Sequence, residues 1–450
     1  MTADTQEYQA LATASAPHLV TELPGPNGQA VLARDGRTTS PSLPRAYPFV
    51  PYRGAGSVVE DVDGNRFLDM NAGIAVTSTG HCHPRVVDAI QEQAAQLVHY
   101  SASDFFLPIY SELTERLDSI SPMAGPTRAF LSNSGTEAVE AGIKLARWAT
   151  GRQYLIAFYG SFHGRSYGSV SLTASKSTYR AGFGPLLPGV LHAYYGDGRD
   201  MQMAPGSPQD GFPTLDYIEH FLMKRVVAPT EVAAVIVEPV LGEGGYIVPP
   251  DGWLQGLREL CDRYGIYLIC DEVQSGMGRT GRMWAVEHTG VEPDILLSGK
   301  GIASGMPLGA MIAKDDKMTW TVGTHGSTYG GNPVSCAAAL ATIDVIQEEQ
   351  LIENADKVGS VLMEGLRDLQ TRHDVIREVR GLALMIGVQL PDHDTAAAVE
   401  QASFRKGLLM LGCGDDAVRM SPALNFREDQ ARAALEIFET VIDEVERAGT

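Results

Sequence analysis

The middle of the chain alternates between short unbroken apolar runs and stretches whose apolar residues return every three or four places. The runs are Ala129-Phe130-Leu131, Tyr154 to Ala157, Val232 to Val237, Tyr267 to Cys270, Ile295 to Leu297 and Leu308 to Ile312. Unbroken runs mark strands covered on both faces. In one intervening stretch Trp253, Leu257, Leu260 and Cys261 share a helical face. Strands of that kind separated by helices predict an α/β fold with a mostly parallel central sheet flanked by helices. Ligand sites in such sheets lie beyond the carboxyl ends of the strands, so the residues just after each run are the ones to inspect.

The flanks read differently. Val58 to Val62 and Arg66 to Met70 surround Asp63-Gly64, a hairpin signal. Pro84 opens an amphipathic helix through Val87, Ile90, Ala94 and Leu97. Beyond about Ala338, Ile352, Ala355, Leu362, Leu366 and Leu369 form one helical stripe, and Ala434, Phe438, Val441 and Val445 another. The expected organisation is an N-terminal arm (1–44), a large α/β domain (102–335), and a smaller α+β domain assembled from 45–101 and 336–450.

Composition narrows the partners. The 450 residues hold 35 Lys+Arg against 55 Asp+Glu, a formal charge of −20, which argues against nucleic acid or an anionic membrane. The five cysteines are scattered, with no CxxC pair, and no apolar run is long enough to span a bilayer. The start of the chain lacks the basic-then-apolar pattern of a signal peptide. A reducing, cytoplasmic setting is the expectation.

Four clusters follow the runs. Asn133-Ser134-Gly135-Thr136-Glu137 opens a helix, and small residues at a helix start suit a phosphate; taken alone, the same residues read more readily as an ordinary capping box of Ser134 with Glu137. Tyr159 to Arg165 offers an aromatic ring among glycines and an arginine able to grip a carboxylate, or simply a glycine-rich surface loop. Asp271 ends its run with a carboxylate whose burial needs a compensating charge. Ser298-Gly299-Lys300-Gly301 places a lysine where desolvation would lower its pKa and make it a usable nucleophile. Two further patterns read as decoys. Gly276 to Gly281 matches GxGxxG without the strand–turn–helix setting it needs, and His81-Cys82-His83 before Pro84 reads as a turn, with no metal expected.

In combination these segments resemble the class III aminotransferases, the ω-amino-acid branch of fold-type-I pyridoxal-phosphate enzymes, including 4-aminobutyrate, ornithine and acetylornithine aminotransferases. The resemblance runs from about Tyr52 to the C-terminus. It rests on Asn133 to Ala138, Phe162-His163-Gly164-Arg165, Glu238 to Gly245, Asp271 to Gly276, Ser298 to Gly301 and Ser327 to Pro333, in that order. It implies pyridoxal 5'-phosphate as cofactor. Lys300 would condense with the cofactor aldehyde and later move a proton, and Asp271 would pair with the ring nitrogen. Phe162 would cover one ring face and Val273 the other, with Gln274 on the ring hydroxyl. Ser134, Gly135 and Thr136 would bind phosphate, and His163 and Glu238 would complete the cofactor's surroundings. Thr328 would reach the phosphate of a neighbouring subunit, which implies a homodimer with shared active sites.

The resemblance also implies how substrates are chosen. Arg165 matches the arginine that grips a remote carboxylate, and Arg419 the one that takes an α-carboxylate. Glu243 matches an acid that neutralises that second arginine when an ω-amine is bound and swings away for glutamate. Ile74 lies in Gly73-Ile74-Ala75-Val76, which resembles the 4-aminobutyrate enzymes and lacks the tyrosine of ornithine enzymes. Leu241 stands where the family usually has glutamine, and Gly244 to Pro250 with Gly412-Cys413-Gly414 looks like a prokaryotic branch of several specificities. The implied activity is ping-pong transfer of an amino group from an ω-amino acid to 2-oxoglutarate, giving a semialdehyde and glutamate. The alternative is an amino-acid racemase or epimerase on the same scaffold.

Overall fold

The apolar runs of the sequence become neighbouring strands of one sheet. The computed structural model describes residues 5–196 and 212–449. Three strands come first, β1 (Pro51–Ala55), β2 (Val58–Asp61) and β3 (Arg66–Asp69), and the last two form the antiparallel hairpin expected around Asp63-Gly64. The central strands follow: β4 (Thr127–Ser132), β5 (Tyr154–Phe158), β6 (Val190–Ala193), β7 (Val232–Val237), β8 (Tyr267–Asp271), β9 (Ile295–Ser298) and β10 (Gly309–Lys314). Their order is β4-β10-β9-β8-β7-β5-β6. From β9 to β6 all neighbours are parallel, whereas β10 runs antiparallel to both β9 and β4. Strand β6 gives no signal in the sequence because it is a half-buried edge strand without an unbroken apolar run.

Alternation along the strands sends side chains into two cores. Leu268 and Cys270 of β8 pack with Trp253, Leu257 and Leu260 of the helix Trp253–Tyr264 on one side. Ile269 packs on the other, with Ala138, Ala141 and Leu145 of the helix Gly135–Thr150. Covering both faces explains why these strands tolerate no alternation with polar residues.

Residues from the two ends of the chain share a second sheet. After β11 (Glu378–Leu382) and β12 (Met385–Gln389), strand β13 (Leu408–Leu409) joins β3 in parallel, giving the order β1-β2-β3-β13. Strands β14 (Leu411–Cys413) and β15 (Ala417–Met420) extend a third sheet, β11-β12-β15-β14.

The N-terminal stretch, expected as an arm, is partly helical. Its helices are Thr5–Ala12 and Pro26–Thr38. Leu11 and Ala12 bury against Ala55 and Val58, and the Asp63 carboxylate of the hairpin turn accepts the N–H groups of Asn27 and Gly28 at 2.8 and 2.7 Å. Those donors come from the first turn of the second helix, where intrahelical partners are lacking. The cap is therefore supplied from elsewhere in the chain, which no local pattern reveals.

Candidate active site

Strands β8 and β9 lie side by side, with Asp271 opposite Leu297. Asp271 closes its strand and Lys300 comes two residues after its own, so both sit at the carboxyl edge of the sheet. Asp271 is buried. Its Oδ2 lies 2.7 Å from His163 Nδ1, and its Oδ1 accepts the Val273 N–H at 3.0 Å. Glu238, just after β7, is also buried and accepts the N–H of Phe162 at 3.0 Å and of Gly242 at 3.1 Å. One carboxylate thus ties the Phe162 loop to the loop that carries Glu243. Burial raises the Glu238 pKa to about 7 despite those donors.

Lys300 follows Gly299 with a φ of 45°, a left-handed conformation that costs a non-glycine residue about 1–3 kcal/mol and concentrates at functional sites. Burial, and after it the charge of Arg419, brings its pKa down to about 8; Glu238, Asp271 and Glu243 pull the other way. Only the neutral amine is nucleophilic. Capture of an added aldehyde by the cofactor-free chain should therefore accelerate as pH rises through about 8 and level off above, which stopped-flow absorbance measures; a rate that does not rise across that range would contradict this assignment of the amine.

A cavity of about 590 Å³ opens at the same edge, and Ile74, Phe162, Arg165, Glu243, Gln274, Lys300 and Arg419 all line it. Ile74 reaches the wall on a left-handed segment, with φ positive at Ala72, Gly73, Ile74 and Ala75, and Asp69 Oδ1 accepts the N–H groups of Asn71 and Ala72 at its start. Glu243 Oε2 accepts from Arg419 Nη1 at 3.0 Å. Arg165 rests its guanidinium on the Tyr179 ring, 4.2 Å from the centroid, and among the described residues no carboxylate pairs with it. Ser134, Gly135, Thr136, His163, Glu238, Asp271, Val273 and Thr328 do not form the cavity wall, and Thr328 is exposed in the single chain.

The backbone beside Lys300 is drawn close. A Cβ on Gly135 would meet Val273 Cγ1 at 2.7 Å, and one on Gly299 would meet Gly135 Cα at 3.2 Å. Gly135 begins the helix Gly135–Thr150 behind its N-cap Ser134, whose Oγ accepts the Glu137 N–H at 3.4 Å. Glu137 does not complete the box with Ser134. Its carboxylate accepts from the Asn133 N–H, one residue earlier, at 2.6 Å. The helix start leaves the N–H groups of Gly135 and Thr136 without intrahelical acceptors, a setting for an anion. The Thr136 hydroxyl is already shared with Ser166 at 2.7 Å and Ser169 at 2.5 Å.

Comparison with known proteins identifies the family. The family model described as aminotransferase class-III matches residues 42–442. The chain belongs to the class-III aminotransferases. It is 39% identical to a 4-aminobutyrate aminotransferase of Mycobacterium tuberculosis, covering 93% of this chain and 96% of that one. It is 36% identical to an alanine/serine racemase of Pyrococcus horikoshii, over 95% and 92% of the two chains. Its fold superposes on the ornithine aminotransferase of Toxoplasma gondii with a TM-score of 0.83 at 30% identity, covering 94% and 96%.

Class-III aminotransferases depend on pyridoxal phosphate, and the residues present fit that group. Among the described residues His163 Nε2 and Gln274 Oε1 are buried with no partner, polar atoms that a bound molecule would satisfy. The donor set matches too: a lowered-pKa lysine, a fixed carboxylate, and helix-terminal N–H groups for a phosphate.

This aminotransferase carries further groups that the sequence alone does not single out. Tyr179 donates its hydroxyl to Glu243 Oε1 at 2.9 Å and meets Phe162 edge-on at 5.5 Å, and Lys176 Nζ lies 3.4 Å from the same oxygen. Glu400, on the helix His393–Arg405, also lines the cavity. Lys176 precedes, and Tyr179 ends, a single 3₁₀ turn (Ser177–Tyr179) beyond the helix Tyr167–Leu172, too short for periodicity to mark a residue. Leu241 is buried and pairs through its backbone with Ile247.

The residues of both decoy patterns make contacts within the chain. His81 Nε2 lies 2.7 Å from Asp69, and His83 Nε2 lies 3.2 Å from Glu349. In the glycine motif the buried Arg279 donates to the carbonyls of Leu384 and Pro422, linking this turn to the third sheet's surroundings.

Proposed function

We propose that this aminotransferase takes the amino group of an ω-amino acid, of the 4-aminobutyrate or ornithine kind, and delivers it to 2-oxoglutarate in a ping-pong cycle. The carrying observation is the Glu243–Arg419 pair beside Arg165. With Glu243 on Arg419, the wall offers one uncompensated arginine, which matches a donor with a single carboxylate. With Glu243 displaced it offers two, which matches a dicarboxylate. An arginine left buried without a counter-ion would be costly, and that penalty gives the acid its purpose.

When bound, pyridoxal phosphate supplies an aldehyde for the amine and a ring that accepts electrons from the substrate carbon. Gly135 and Thr136 would hold its phosphate by their N–H groups, behind the Ser134 cap. Phe162 and Val273 would enclose its ring, Gln274 would offer its amide, and Asp271 would face the ring nitrogen, oriented by His163 and the Val273 N–H. Glu238 keeps the Phe162 loop in place. Lys300 would carry the proton between the substrate carbon and the carbon of the cofactor's aldehyde, off the donor in the first half of the cycle and onto the acceptor in the second. Thr328 of the partner subunit would complete the phosphate site, making the working unit a homodimer.

The test is a panel of 4-aminobutyrate, ornithine, N-acetylornithine, lysine and single-enantiomer amino acids, each with and without 2-oxoglutarate. The expected result is repeated turnover of an ω-amine only when 2-oxoglutarate is present. Inversion of one enantiomer without any 2-oxo acid would favour a racemase, the activity named for the Pyrococcus relative.

Arg165→Ala should raise KM for carboxylate-bearing substrates by about 10–100-fold, the worth of a charge-assisted grip, with kcat changed less. Unaltered KM for every dicarboxylate would remove Arg165 from this role. For the shared site, mixing Lys300→Ala with Thr328→Ala chains should restore activity in part, since a hybrid dimer holds one intact site; verified hybrids without activity would speak against it.

A further inference from the structure

Glu243 is gripped from two sides at once. Oε2 accepts from Arg419, and Oε1 faces the Tyr179 hydroxyl and the Lys176 ammonium. Burial alone would favour the neutral acid, but the charges of Arg419 and Lys176 outweigh it and hold Glu243 below the usual carboxylate range. Burial and the adjacent Glu243 push the Tyr179 phenol up to about 12, so it stays a donor at neutral pH. Among the described residues the buried Arg419 Nε has no acceptor, so Glu243 leaves part of the guanidinium unengaged.

We propose that Lys176 and the Tyr179 hydroxyl form the second berth of Glu243, holding the acid after it leaves Arg419 and setting how well the enzyme takes dicarboxylates relative to one-carboxylate amines. The inference rests on the switch reading of Glu243 given above. An acid whose only partner was Arg419 would be stranded on release, a buried charge without compensation. Here Lys176 and Tyr179 sit on the other oxygen and need not be surrendered. Tyr179 also couples the two carboxylate sites, because its ring face carries Arg165 while its hydroxyl carries Glu243. Lys176 and Tyr179 are positioning residues, acting through the acid that selects the substrate.

The test uses the cofactor-loaded enzyme and compares single half-reactions with glutamate and with 4-aminobutyrate. Tyr179→Phe keeps the ring under Arg165 and removes only the hydroxyl; Lys176→Met removes the ammonium. Each should lower the glutamate-to-4-aminobutyrate ratio of rate constants about tenfold, the scale of one hydrogen bond to a charge. Lys176→Arg should restore much of it. Glu243→Ala should move the ratio the opposite way, by freeing Arg419 permanently, and should erase the effect of Lys176→Met when the two are combined. Calorimetric binding of two inert probes, glutarate and butyrate, gives a second readout: Lys176→Met should weaken glutarate about tenfold more than butyrate.

Equal loss in both half-reactions, or a selective loss that survives in the Glu243→Ala background, overturns the berth and leaves the switch standing. If Glu243→Ala itself leaves the ratio unmoved, the switch fails and the berth with it.

Discussion

Lys300→Ala is expected to lower turnover by at least about 10⁴-fold, the upper range for removing a group that acts as general acid and base, and to abolish the visible absorption that the cofactor gains when joined to an amine of the protein. At the end of β9, Gly299 lets the backbone pass against Gly135 and the lysine takes a left-handed φ. A strained, buried cation at that point has a poor structural rationale, because burial works against its charge. Alanine fits the same fold without the amine, so the circular dichroism spectrum and Tm should stay near those of the parent. Turnover within about tenfold of the parent would show that another group does the proton transfer.

Asp271→Asn is expected to reduce kcat by about 10²–10³-fold, the range for removing one preorganised charge or donor from a transition state. Asparagine keeps the size of the side chain and an oxygen for the Val273 N–H, so the fold and the Lys300 absorption should survive. What it loses is the negative charge that would keep a ring nitrogen protonated. The aspartate is fixed by His163 at 2.7 Å and by the backbone at 3.0 Å, an arrangement that leaves it little room to compensate from another position. Stopped-flow half-reactions should locate the defect in proton transfer and not in substrate binding. A kcat within about threefold of the parent would mean that the Asp271 charge does not serve the chemistry.

Asp271 and Lys300 are legible in the amino-acid sequence for a physical reason. A charge at the end of an unbroken apolar run has to be either compensated or functional, so both residues stand out against their strands. The strands themselves are legible because both faces are buried. Direction is not: β10 is as apolar as β9, and nothing in that composition shows that it runs the other way. The helices before Pro44 leave no clear pattern because part of their support comes from the hairpin, through Asp63 and Val58, and not from their own periodicity. Tyr179, Lys176 and Glu400 are hidden for a similar reason. Each acquires its meaning only from what the fold brings opposite it, a buried acid for Tyr179 and Lys176 and a cavity wall for Glu400. Arg165 and Arg419 show the converse. The resemblance already implies Glu243 as the partner of Arg419, and the fold places the two at 3.0 Å, but only the fold shows that Arg165 lies on the Tyr179 ring.

If the amine of Lys300 carries the cofactor, borohydride reduction of the active enzyme will fix the pyridoxyl group to that residue. Proteolysis and mass spectrometry of the peptides then read its position. The pyridoxyl mass should appear on the peptide containing Lys300 and disappear in Lys300→Ala. The same mass on another lysine, or an active enzyme that retains no pyridoxyl group after reduction, would contradict the assignment.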